Sequence, residues 1–432
     1  MHGALGAVDY ADQNGIGRQR LAEKFRVQVP IILAATAALQ FVYAYWVFNG
    51  AEMPSNVYSS VWIALGANLA GLISYRRLRL YPGTRRLAFI IPSFTLGWSI
   101  AAVCIVALRL DYSASQLALG LVSALFLALL INAWSRRPDA RRFLLVPSPR
   151  VDTLISDLPG LNYTMCSRPE DIRKAEGVII ADLHHDFAPE WEIAIAEAAV
   201  QGNPVYHVKQ IGESLTGRVQ VEHLSENLLG TLAPDETYAF VKSVVERVFA
   251  LVVLSASLPI LAAACIAIKL DSPGPAIFRQ TRVGFRGETF TINKLRTMNN
   301  GHRTGRREDD ITLENDPRIT RLGRFLRSTR IDEIPQLWNV LRGEMSLIGP
   351  RPETVQLSEW YAETIDFYVY RHIVLPGVTG WAQVKQGHVA SPEDVLHKLQ
   401  YDFYYIKNFS LWLDIVIILR TIKVMLLKLG AR

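Results

Sequence analysis

Cysteine is scarce in this chain of 432 residues, which contains only Cys104, Cys166 and Cys265. The three lie far apart, and none belongs to a Cys-x-x-Cys pair. This pattern excludes a small fold stapled by disulfides and the common zinc motifs, and it agrees with a reducing compartment. The first 26 residues are polar and lack an apolar core, so no secretory signal peptide is expected there.

Charged residues are also few, at 20%, whereas 50% of the residues are hydrophobic. A purely soluble enzyme is not expected from this balance. Four apolar runs account for it, namely residues 29–48, 57–75, 87–108 and 114–134. Each is about as long as a helix that crosses the hydrocarbon core of a membrane. We predict a bundle of four transmembrane helices over residues 29–135, after a cytoplasmic segment at residues 1–28.

Arginine is distributed unevenly around these runs. The loop between the first two runs has no Lys or Arg, whereas the loop after the second run and the segment after the fourth are rich in arginine: Arg76, Arg77, Arg79, Arg85, Arg86, Arg136, Arg137, Arg141 and Arg142. By the positive-inside rule, the N-terminus and everything after Arg136 are predicted to be cytoplasmic. Anionic lipid and a phosphorylated ligand explain the net charge of +6 better than nucleic acid, which is not an expected partner.

Residues 136–237 have the composition of a small cytoplasmic α/β domain. Short β-rich runs at residues 143–146, 163–166, 177–181 and 204–208 alternate with helical spacing at 151–158, 169–175 and 189–200. This alternation predicts a small parallel, Rossmann-like sheet. The turn at residues 147–150, Pro-Ser-Pro-Arg, lacks the glycines of a dinucleotide site, which favours a structural or regulatory module. His184 and His185 have no second ligand pair at metal-binding spacing and are interpreted as loop residues.

A fifth apolar run covers residues 248–270, and its length alone would suit a spanning helix. Basic residues flank it on both sides, so a segment that enters and leaves on the same face satisfies the charge rule better. Pro259 provides the means to bend it, with Ser255 and Ser257 nearby. We predict a re-entrant membrane helix over residues 238–270, with a proline-kinked spanning helix as the alternative. Residues 411–427 mix apolar and charged residues, which predicts a helix lying at the interface.

The remaining segment, residues 271–432, is rich in groups suited to phosphate chemistry. We predict that it forms a compact, mainly α-helical catalytic domain. Adjacent carboxylates, Asp332 and Glu333, lie among many fixed cations: Arg321, Arg324, Arg327, Arg330, Arg342 and Arg351. Arginine forks bind phosphate oxygens, and a carboxylate can hold Mg²⁺ or attack phosphorus as a nucleophile. An isolated Asp-Glu pair would be interpreted as part of a solvated helix, but the density of cations here favours a site.

Several motifs of this segment occur in a recognisable order. They are Asp-Ser-Pro-Gly-Pro at 271–275, Lys-Leu-Arg-Thr-Met at 294–298, the arginine-rich run at 315–327, the Asp332-Glu333 pair, Gly-Pro-Arg-Pro at 349–352 and Leu-Pro-Gly-Val-Thr-Gly-Trp-Ala-Gln-Val at 375–384. Together they resemble the bacterial sugar transferases, which are polyprenyl-phosphate hexose-1-phosphate transferases. The four preceding helices and the α/β insert resemble the long form of that family. One departure is Leu258, because many relatives have a serine directly before the membrane-breaking proline.

The resemblance implies a phosphotransferase reaction in which UDP-sugar and polyprenyl (undecaprenyl) phosphate give polyprenyl-diphospho-sugar and UMP. This would be the first membrane step of exopolysaccharide, capsule or O-antigen repeat-unit synthesis. UDP-glucose or UDP-galactose is the expected donor. The implied location is the bacterial inner (plasma) membrane, as a multi-pass protein with its catalytic domain on the cytoplasmic face. The N-terminal region could also mediate homo-oligomerisation.

By similarity, Asp332 is the nucleophile that forms an aspartyl-phosphosugar intermediate, and Asp332 and Glu333 together place Mg²⁺. Arg327 matches a family arginine and is a candidate for phosphate binding. The sequence offers three further substrate-binding candidates, Arg351, Lys294 and Arg296. Residues around the site are expected to shape it rather than to bind substrate: Gln336 and Trp338 to orient the catalytic helix, and Gly377, Gly380 and Trp381 to form a turn against the membrane.

The sequence leaves two other functions open. A membrane phosphohydrolase would use water to cleave the same intermediate, and a non-catalytic scaffold would regulate polysaccharide assembly through the α/β insert. The scaffold has no use for the Asp332-Glu333 pair among so many arginines. The polar stretch at residues 301–314 could be a lid over the site or a plain exposed loop.

Overall fold

The computed structural model describes residues 25–78, 81–82, 89–134, 143–174, 177–220, 234–299, 316–386 and 392–427. The chain divides into two compact units, Met1–Gly217 and Arg218–Arg432. In the described ranges the secondary structure is mainly helical, with a parallel sheet in the first unit. Several predictions fall outside the described residues, namely those for Arg79, Arg85, Arg86, Arg136, Arg137, Arg141, Arg142, the start of the N-terminal segment and the stretch 301–314.

Four apolar helices begin the first unit, where the apolar runs predict them: α1 (Phe25–Val47), α2 (Ser55–Leu78), α3 (Ile90–Leu108) and α4 (Ala114–Trp134). Each is long and apolar enough to cross a membrane, and so is a fifth helix in the second unit, Glu236–Asp271. Buried polar side chains link them. Gln40 of α1 donates to the carbonyl of Gln116 in α4 at 2.8 Å, and Trp98 of α3 donates to Asn68 of α2 at 2.9 Å. Such bonds hold apolar helices together where water is absent.

The first unit continues with a parallel sheet of β1 (Phe143–Leu145), β2 (Tyr163–Met165), β3 (Val178–Ala181) and β4 (Val205–His207), in the order β2-β1-β3-β4. The helices between and after these strands are α5 (Pro149–Asp157), α6 (Pro169–Lys174), α7 (Pro189–Val200) and α8 (Val208–Thr216). Successive side chains of β1 point to opposite faces. Phe143 and Leu145 pack with α5 and α8, whereas Leu144 packs with α6 and α7. The predicted parallel sheet is confirmed.

The second unit opens with α9 (Glu236–Asp271), a helix of 36 residues that contains the fifth apolar run. Asp235 caps it by accepting a hydrogen bond from the Tyr238 N–H at 2.9 Å. The helix runs without interruption through Pro259. Ser257 donates to the carbonyl of Leu254 at 3.0 Å, so one of the nearby serines bonds back to the helix backbone.

One side of α9 packs against the rest of the second unit at both ends of its apolar run. Ala250 is buried with Leu337 and Met345, whereas Ile268 is buried with Leu295 and Leu326. The other side exposes apolar side chains: Leu251, Val252, Leu258, Ile260, Ile266 and Leu270. The helix therefore has one face that serves the core of the unit and one that is apolar and uncovered.

The rest of the second unit is built from short elements. A hairpin of β5 (Ile277–Val283) and β6 (Thr289–Leu295) is followed by α10 (Arg321–Ser328), α11 (Gln336–Arg342), β7 (Ser346–Ile348), α12 (Val355–Thr364), β8 (Gly377–Thr379), α13 (Trp381–Lys385), α14 (Pro392–Lys407) and α15 (Leu411–Leu426). The hairpin is antiparallel, and β7 and β8 pair in parallel.

The Gly-Pro-Arg-Pro and Leu-Pro-Gly motifs meet backbone to backbone beside β7 and β8. Gly349 donates to the carbonyl of Thr379 at 2.9 Å, and Gly377 donates to the carbonyl of Pro350 at 2.8 Å. A Cβ atom on either glycine would collide with the backbone of the other segment, so only glycine allows this approach. The two motifs, separate in the sequence, are one structural unit, and Gly377 packs on the other motif.

A buried ion pair fixes the start of α9 next to this unit. Lys242 Nζ lies 2.5 Å from Asp414 Oδ2 of α15 and donates to the carbonyl of Ile348 at 2.9 Å. Tyr405 donates to the same carbonyl at 3.0 Å. Because all three side chains are buried and bonded, α9, α14 and α15 hold the end of β7 in place, just before Arg351.

Candidate active site

The adjacent carboxylates lie on a short 3-10 turn, Ile331–Glu333, between α10 and α11. Arg330, directly before it, adopts a left-handed conformation with φ 59°, which reverses the chain after α10. Pro335 follows and precedes the first residue of α11, a position where its missing N–H leaves no bond unmade. The turn buries both carboxylates, Asp332 at 8% exposure and Glu333 at 9%.

Glu333 is surrounded by cations that come from three parts of the chain. Its Oε1 lies 3.4 Å from the Arg351 guanidinium, 3.5 Å from that of Arg330 and 3.6 Å from Lys294 Nζ. Burial would raise the pKa of Glu333, but the attraction of Lys294, Arg351 and Arg330 outweighs it and lowers the pKa to about 2. Glu333 is therefore ionised at any working pH and holds the three cations together.

Asp332 has a different environment from its neighbour. Among the described residues, its buried Oδ1 has no hydrogen-bond partner. Burial and the charge of Glu333 raise the pKa of Asp332 to about 6, although Lys294, Arg327 and Arg330 attract its ionised form. A buried carboxylate oxygen without a partner costs free energy unless a ligand meets it. Asp332 thus has one oxygen available to react, whereas the Glu333 carboxylate is engaged by three cations.

Arg327 stands in the last turn of α10 and points toward this pair. Its Nε donates to the Thr297 hydroxyl at 2.9 Å, and within the described ranges no hydrogen bond occupies its two terminal nitrogens. Burial lowers the pKa of Arg327 and Asp332 raises it, without a change in its charge at neutral pH. Two oriented N–H groups next to a carboxylate suit a phosphate group.

Lys294 is brought to the site by β6. Burial and the nearby Arg351 lower the pKa of Lys294 to about 8, against the attraction of Glu333. Its ammonium is therefore the one cation of the site that can lose its charge near physiological pH. The structure thus brings together five of the six predicted site residues: Asp332, Glu333, Arg327, Arg351 and Lys294.

The sixth predicted residue, Arg296, is placed differently from the other five. Its guanidinium donates to the carbonyl of Pro273 at 2.9 Å and to that of Ser272 at 2.6 Å, at the C-terminus of α9. The residue is 5% exposed. In a continued strand Arg296 would lie on the same side as Lys294, two positions earlier. The strand ends at Leu295, and the Arg296 side chain turns instead to the end of α9.

Three further arginines serve the site. The sequence placed Arg330 among the cations around the pair, but it did not single out Arg282 or Arg371. Arg330 contacts Glu333, as described above. Arg282 donates to the carbonyl of Pro352 at 3.0 Å, and Arg371 donates to that of Arg351 at 2.8 Å. These bonds join positions 70 and 20 residues apart, so no local pattern could have revealed them. The bonds from Arg282 and Arg371 fix the backbone directly after the Arg351 side chain.

The two residues expected to orient the catalytic helix, Gln336 and Trp338, differ in how far they are buried. Gln336 is 1% exposed and lies in the first turn of α11, where it can fix the turn that carries the carboxylates. Trp338 is 53% exposed, so its indole does not pack in the core. A large exposed aromatic residue of this kind suits contact with a membrane interface.

Mg²⁺ usually takes one or two carboxylates together with substrate phosphate oxygens. The open, buried oxygen of Asp332 meets this requirement. Glu333 meets it less directly, because its Oε1 lies within 3.6 Å of three cations that would repel a divalent ion. The residues therefore fit Mg²⁺ through Asp332 first.

Taken together, four cations face two carboxylates, namely Lys294, Arg327, Arg330 and Arg351 against Asp332 and Glu333. With Lys294 protonated, this leaves an excess of two positive charges. A site with this excess, fixed in a poorly solvated turn, stabilises an anionic diphosphate and the charge that develops when one of its bonds breaks.

The protein belongs to the bacterial sugar transferase family. Residues 237–428 match that family, described as "Bacterial sugar transferase". The match begins with the first turn of α9 and ends after α15, so it covers all of the site described above. The resemblance seen in the motifs is confirmed.

The similarity to individual proteins extends further along the chain. A UDP-N-acetylgalactosamine-undecaprenyl-phosphate N-acetylgalactosaminephosphotransferase of Aeromonas hydrophila is 41% identical over 366 residues, which cover 84% of this chain and 85% of that protein. Two UDP-glucose:undecaprenyl-phosphate glucose-1-phosphate transferases match shorter parts. That of Caulobacter vibrioides is 45% identical over 42% of this chain and 68% of its own length. That of Xanthomonas campestris pv. campestris is 40% identical over a match that covers 48% of this chain and 42% of its own length.

Proposed function

We propose that this protein is a membrane phosphotransferase that moves a sugar-1-phosphate from a UDP-sugar to undecaprenyl phosphate and releases UMP. The observation that carries this proposal is the open oxygen of Asp332, which belongs to a pair of carboxylates faced by four cations. The names of the relatives support both the UDP-sugar donor and the undecaprenyl-phosphate acceptor. The reaction would be the first membrane step of exopolysaccharide, capsule or O-antigen repeat-unit synthesis.

In the first step, a carboxylate oxygen of Asp332 attacks the phosphorus that carries the sugar. An oxygen–phosphorus bond forms as the bond from that phosphorus to the UMP oxygen breaks, and UMP leaves with the electron pair. Arg327 and Arg351 hold phosphate oxygens during this change, and Lys294 adds charge while it is protonated. The product is an aspartyl-phosphosugar ester.

In the second step, a phosphate oxygen of the lipid attacks the same phosphorus. The bond to Asp332 breaks, and its carboxylate is restored as the lipid diphosphate-sugar forms. Glu333 keeps the cations in place through both steps and does not itself react. Two steps through one site suit a membrane enzyme, because the nucleotide can leave before the lipid enters.

Mg²⁺ is proposed as the cofactor, held by Asp332 with donor phosphate oxygens and with Glu333 as a second contact. It would supply charge neutralisation, so that an anionic carboxylate can approach an anionic phosphorus. This assignment rests on the chemistry of the donor set and on the sequence motif.

The donor sugar is proposed from the relatives. The relative that matches most of its own length is named for N-acetylgalactosamine phosphate transfer, whereas those that match mainly the catalytic segment are named for glucose phosphate. UDP-N-acetylgalactosamine is therefore the first donor to test, beside UDP-glucose and UDP-galactose, which the sequence alone suggested.

The catalytic unit is proposed to lie on one face of the inner membrane, the cytoplasmic one, with α9 entering and leaving on that face. Lys242 and Ile268 of α9 both bond to the catalytic elements. They are separated by about 39 Å along a helix, more than the ~30 Å hydrocarbon core. A spanning helix could not place both ends against one domain on one side.

In the first unit, α1–α4 are proposed as a transmembrane bundle and the sheet as a Rossmann-like module.

The proposal is tested by giving the purified protein in nanodiscs undecaprenyl phosphate and each of the three UDP-sugars, with an Asp332→Asn variant as control. UMP and lipid-linked sugar should form in equal amounts with the correct donor, and neither should form with the variant. Release of free sugar phosphate without lipid-linked product would instead identify a phosphohydrolase. Inactivity with every donor, in a folded protein, would favour the scaffold.

A further inference from the structure

A second place for ligand chemistry lies in the first unit, at the carboxyl edge of its parallel sheet. In the order β2-β1-β3-β4, the connection that follows β1 runs to one side and β3 lies on the other. This creates a switch point between the ends of β1 and β3. In open α/β sheets, ligands bind outside the carboxyl ends of the strands at such a point.

Two helices begin at this edge on the same face of the sheet. α5 and α8 each have nine residues, and Val151 and Leu154 of α5 share a core cluster with Val208 and Ile211 of α8. Each helix follows directly from the end of a parallel strand, so its N-terminus lies at the carboxyl edge. Helix N-termini present N–H groups and partial positive charge, which favour anions.

Ser148 provides an independent sign of a ligand. It is the N-cap residue of α5, yet its side chain makes no capping bond. The residue is 7% exposed, and its hydroxyl has no hydrogen-bond partner among the described residues. A buried hydroxyl left without a partner is unfavourable, so it is expected to meet a ligand atom.

Charged and polar groups surround the same edge. Asp182, at the end of β3, accepts from Arg150 Nη1 at 3.3 Å and from the His184 N–H at 3.3 Å. The Asp182 carboxylate is also 3.3 Å from His207 Nε2. Asp182 therefore orients Arg150, the second residue of α5, beside the helix N-terminus. His184 Nδ1 lies 2.8 Å from Nε2 of His207. The two histidines are 23 positions apart, so their spacing in the sequence did not reveal this contact.

The three side chains Asp182, His184 and His207 are close enough to suggest a metal site. The hydrogen bonds favour another interpretation. His207 Nδ1 accepts from the Lys209 N–H at 3.0 Å, so the proton of the neutral ring sits on Nε2. Nε2 is the atom that faces His184 and Asp182, and a metal ligand needs a lone pair there. Burial and His184 lower the pKa of His207, which keeps the ring neutral.

We propose that this edge binds a phosphate-type oxyanion, the phosphoryl group of a small metabolite, at the N-terminus of α5 with the Ser148 hydroxyl and Arg150 as its ligands. The Pro-Ser-Pro-Arg turn lacks the glycines that let a pyrophosphate approach the backbone closely, so a single phosphoryl group fits better than a dinucleotide. The site gives the α/β module a ligand of its own, separate from the catalytic residues.

The test uses the full-length protein and inorganic phosphate as the probe. Diethyl pyrocarbonate labels accessible neutral histidines, and peptide mass spectrometry reports each one. His184 is exposed beside the proposed site, and the exposed His397 in α14 is an internal reference. Millimolar phosphate should slow labelling of His184 and leave His397 unchanged. The Ser148 and Arg150 variants below distinguish phosphate bound at this edge from phosphate bound at the catalytic residues.

Two variants and a control make the result specific. Ser148→Ala and Arg150→Gln should each require roughly tenfold more phosphate for the same protection, a loss of about 1.4 kcal/mol. Thr153→Ala, exposed on the same helix, should behave as wild type. No protection of His184, or protection that survives both variants, would overturn the proposal. Protection by Zn²⁺ and not by phosphate would also overturn it and reassign the cluster as a metal site.

Discussion

Arg371 donates a hydrogen bond from Nη2 to the main-chain carbonyl of Arg351 at 2.8 Å. Its guanidinium is 3% exposed and also contacts Asp402 at 2.9 Å and the Tyr368 hydroxyl at 3.0 Å. Because Asp402 lies in α14, the bond ties the Pro-Arg-Pro segment to a helix far along the chain. The backbone from which the Arg351 side chain reaches Glu333 is thus fixed by a residue that touches no predicted substrate atom.

Replacing Arg371 by lysine should therefore weaken substrate binding. Lysine keeps the charge beside Asp402 but cannot bridge three partners with a planar fork. We expect kcat/KM for the UDP-sugar to fall about tenfold, mainly through KM, since Arg351 would be held less firmly. Arg342→Lys, at a 61% exposed side chain that pairs with Glu344, is the matched control and should change neither constant. A variant that only unfolds at lower temperature, with KM unchanged, would show that Arg371 is purely structural.

Activity should depend on pH through Asp332 on the acid side. Burial and Glu333 raise the pKa of Asp332 to about 6, so the carboxyl is protonated below this pH and cannot attack phosphorus. We expect kcat/KM to fall tenfold per pH unit below about 6. Steady-state rates between mildly acidic and neutral pH, with a check that the protein stays folded, measure this limb. A rate that stays flat down to pH 4 would contradict the assignment of Asp332 as nucleophile.

Lys294 should define the basic side of the same profile. Burial and Arg351 lower the pKa of Lys294 to about 8, and the ammonium loses its charge as the pH rises through this value. The site then holds the diphosphate less tightly, so KM should rise above about pH 8. Lys294→Arg keeps the charge at all these pH values and should remove the basic limb while leaving the acid limb in place.

The two neighbouring carboxylates should have opposite effects on stability. The raised pKa of Asp332 means that its ionised form destabilises the fold at pH 7, by up to about 3 kcal/mol, so Asp332→Asn should stabilise it. The pKa of Glu333 is lowered to about 2, so its charge stabilises the fold above pH 4.5 and this is lost as the pH falls toward 2. Glu333→Gln should therefore destabilise the fold at pH 7 by about 3 kcal/mol.

Thermal unfolding of both variants in nanodiscs at pH 7 checks this pair of predictions. Both should lose turnover, so activity alone cannot distinguish them. Opposite shifts in melting temperature would distinguish Asp332, a nucleophile whose charge destabilises the fold, from Glu333, a carboxylate that holds the cations in place. Shifts of the same sign would mean that the electrostatic difference between the two sites is smaller than the contacts imply.

The sequence predicted the long helices and the parallel sheet because their signals are local: apolar length for α1–α4, and alternation for β1–β4. It also identified five residues that meet at the site, since the motifs carry them. It could not predict that Arg296 turns away to the end of α9, because the strand ends at Leu295 and the direction changes there. Nor could it predict the Arg371–Arg351 bond or the close packing of Gly349 against Gly377, which depend on how distant segments pack.

The position of the catalytic unit relative to the membrane is a separate prediction. If α9 returns to the cytoplasmic face, a cysteine at the exposed position Glu359 in α12 should resist an impermeant thiol reagent added to intact cells. A cysteine at Glu52, in the loop without Lys or Arg, should be labelled and serves as the positive control. Labelling of position 359 in intact cells would identify α9 as a spanning helix.

The last prediction concerns the covalent intermediate at Asp332. Wild-type protein given the UDP-sugar without lipid should release about one UMP per active site and then stop, because the aspartyl ester has no acceptor. Mass spectrometry of the Asp332 peptide should show an added sugar phosphate, and adding undecaprenyl phosphate should remove it as lipid-linked product forms. Asp332→Asn should show neither UMP release nor adduct, whereas Arg342→Lys should show both. UMP release only when lipid is present, with no adduct, would mean direct attack by the lipid phosphate, and Asp332 would then serve as a metal ligand or general base.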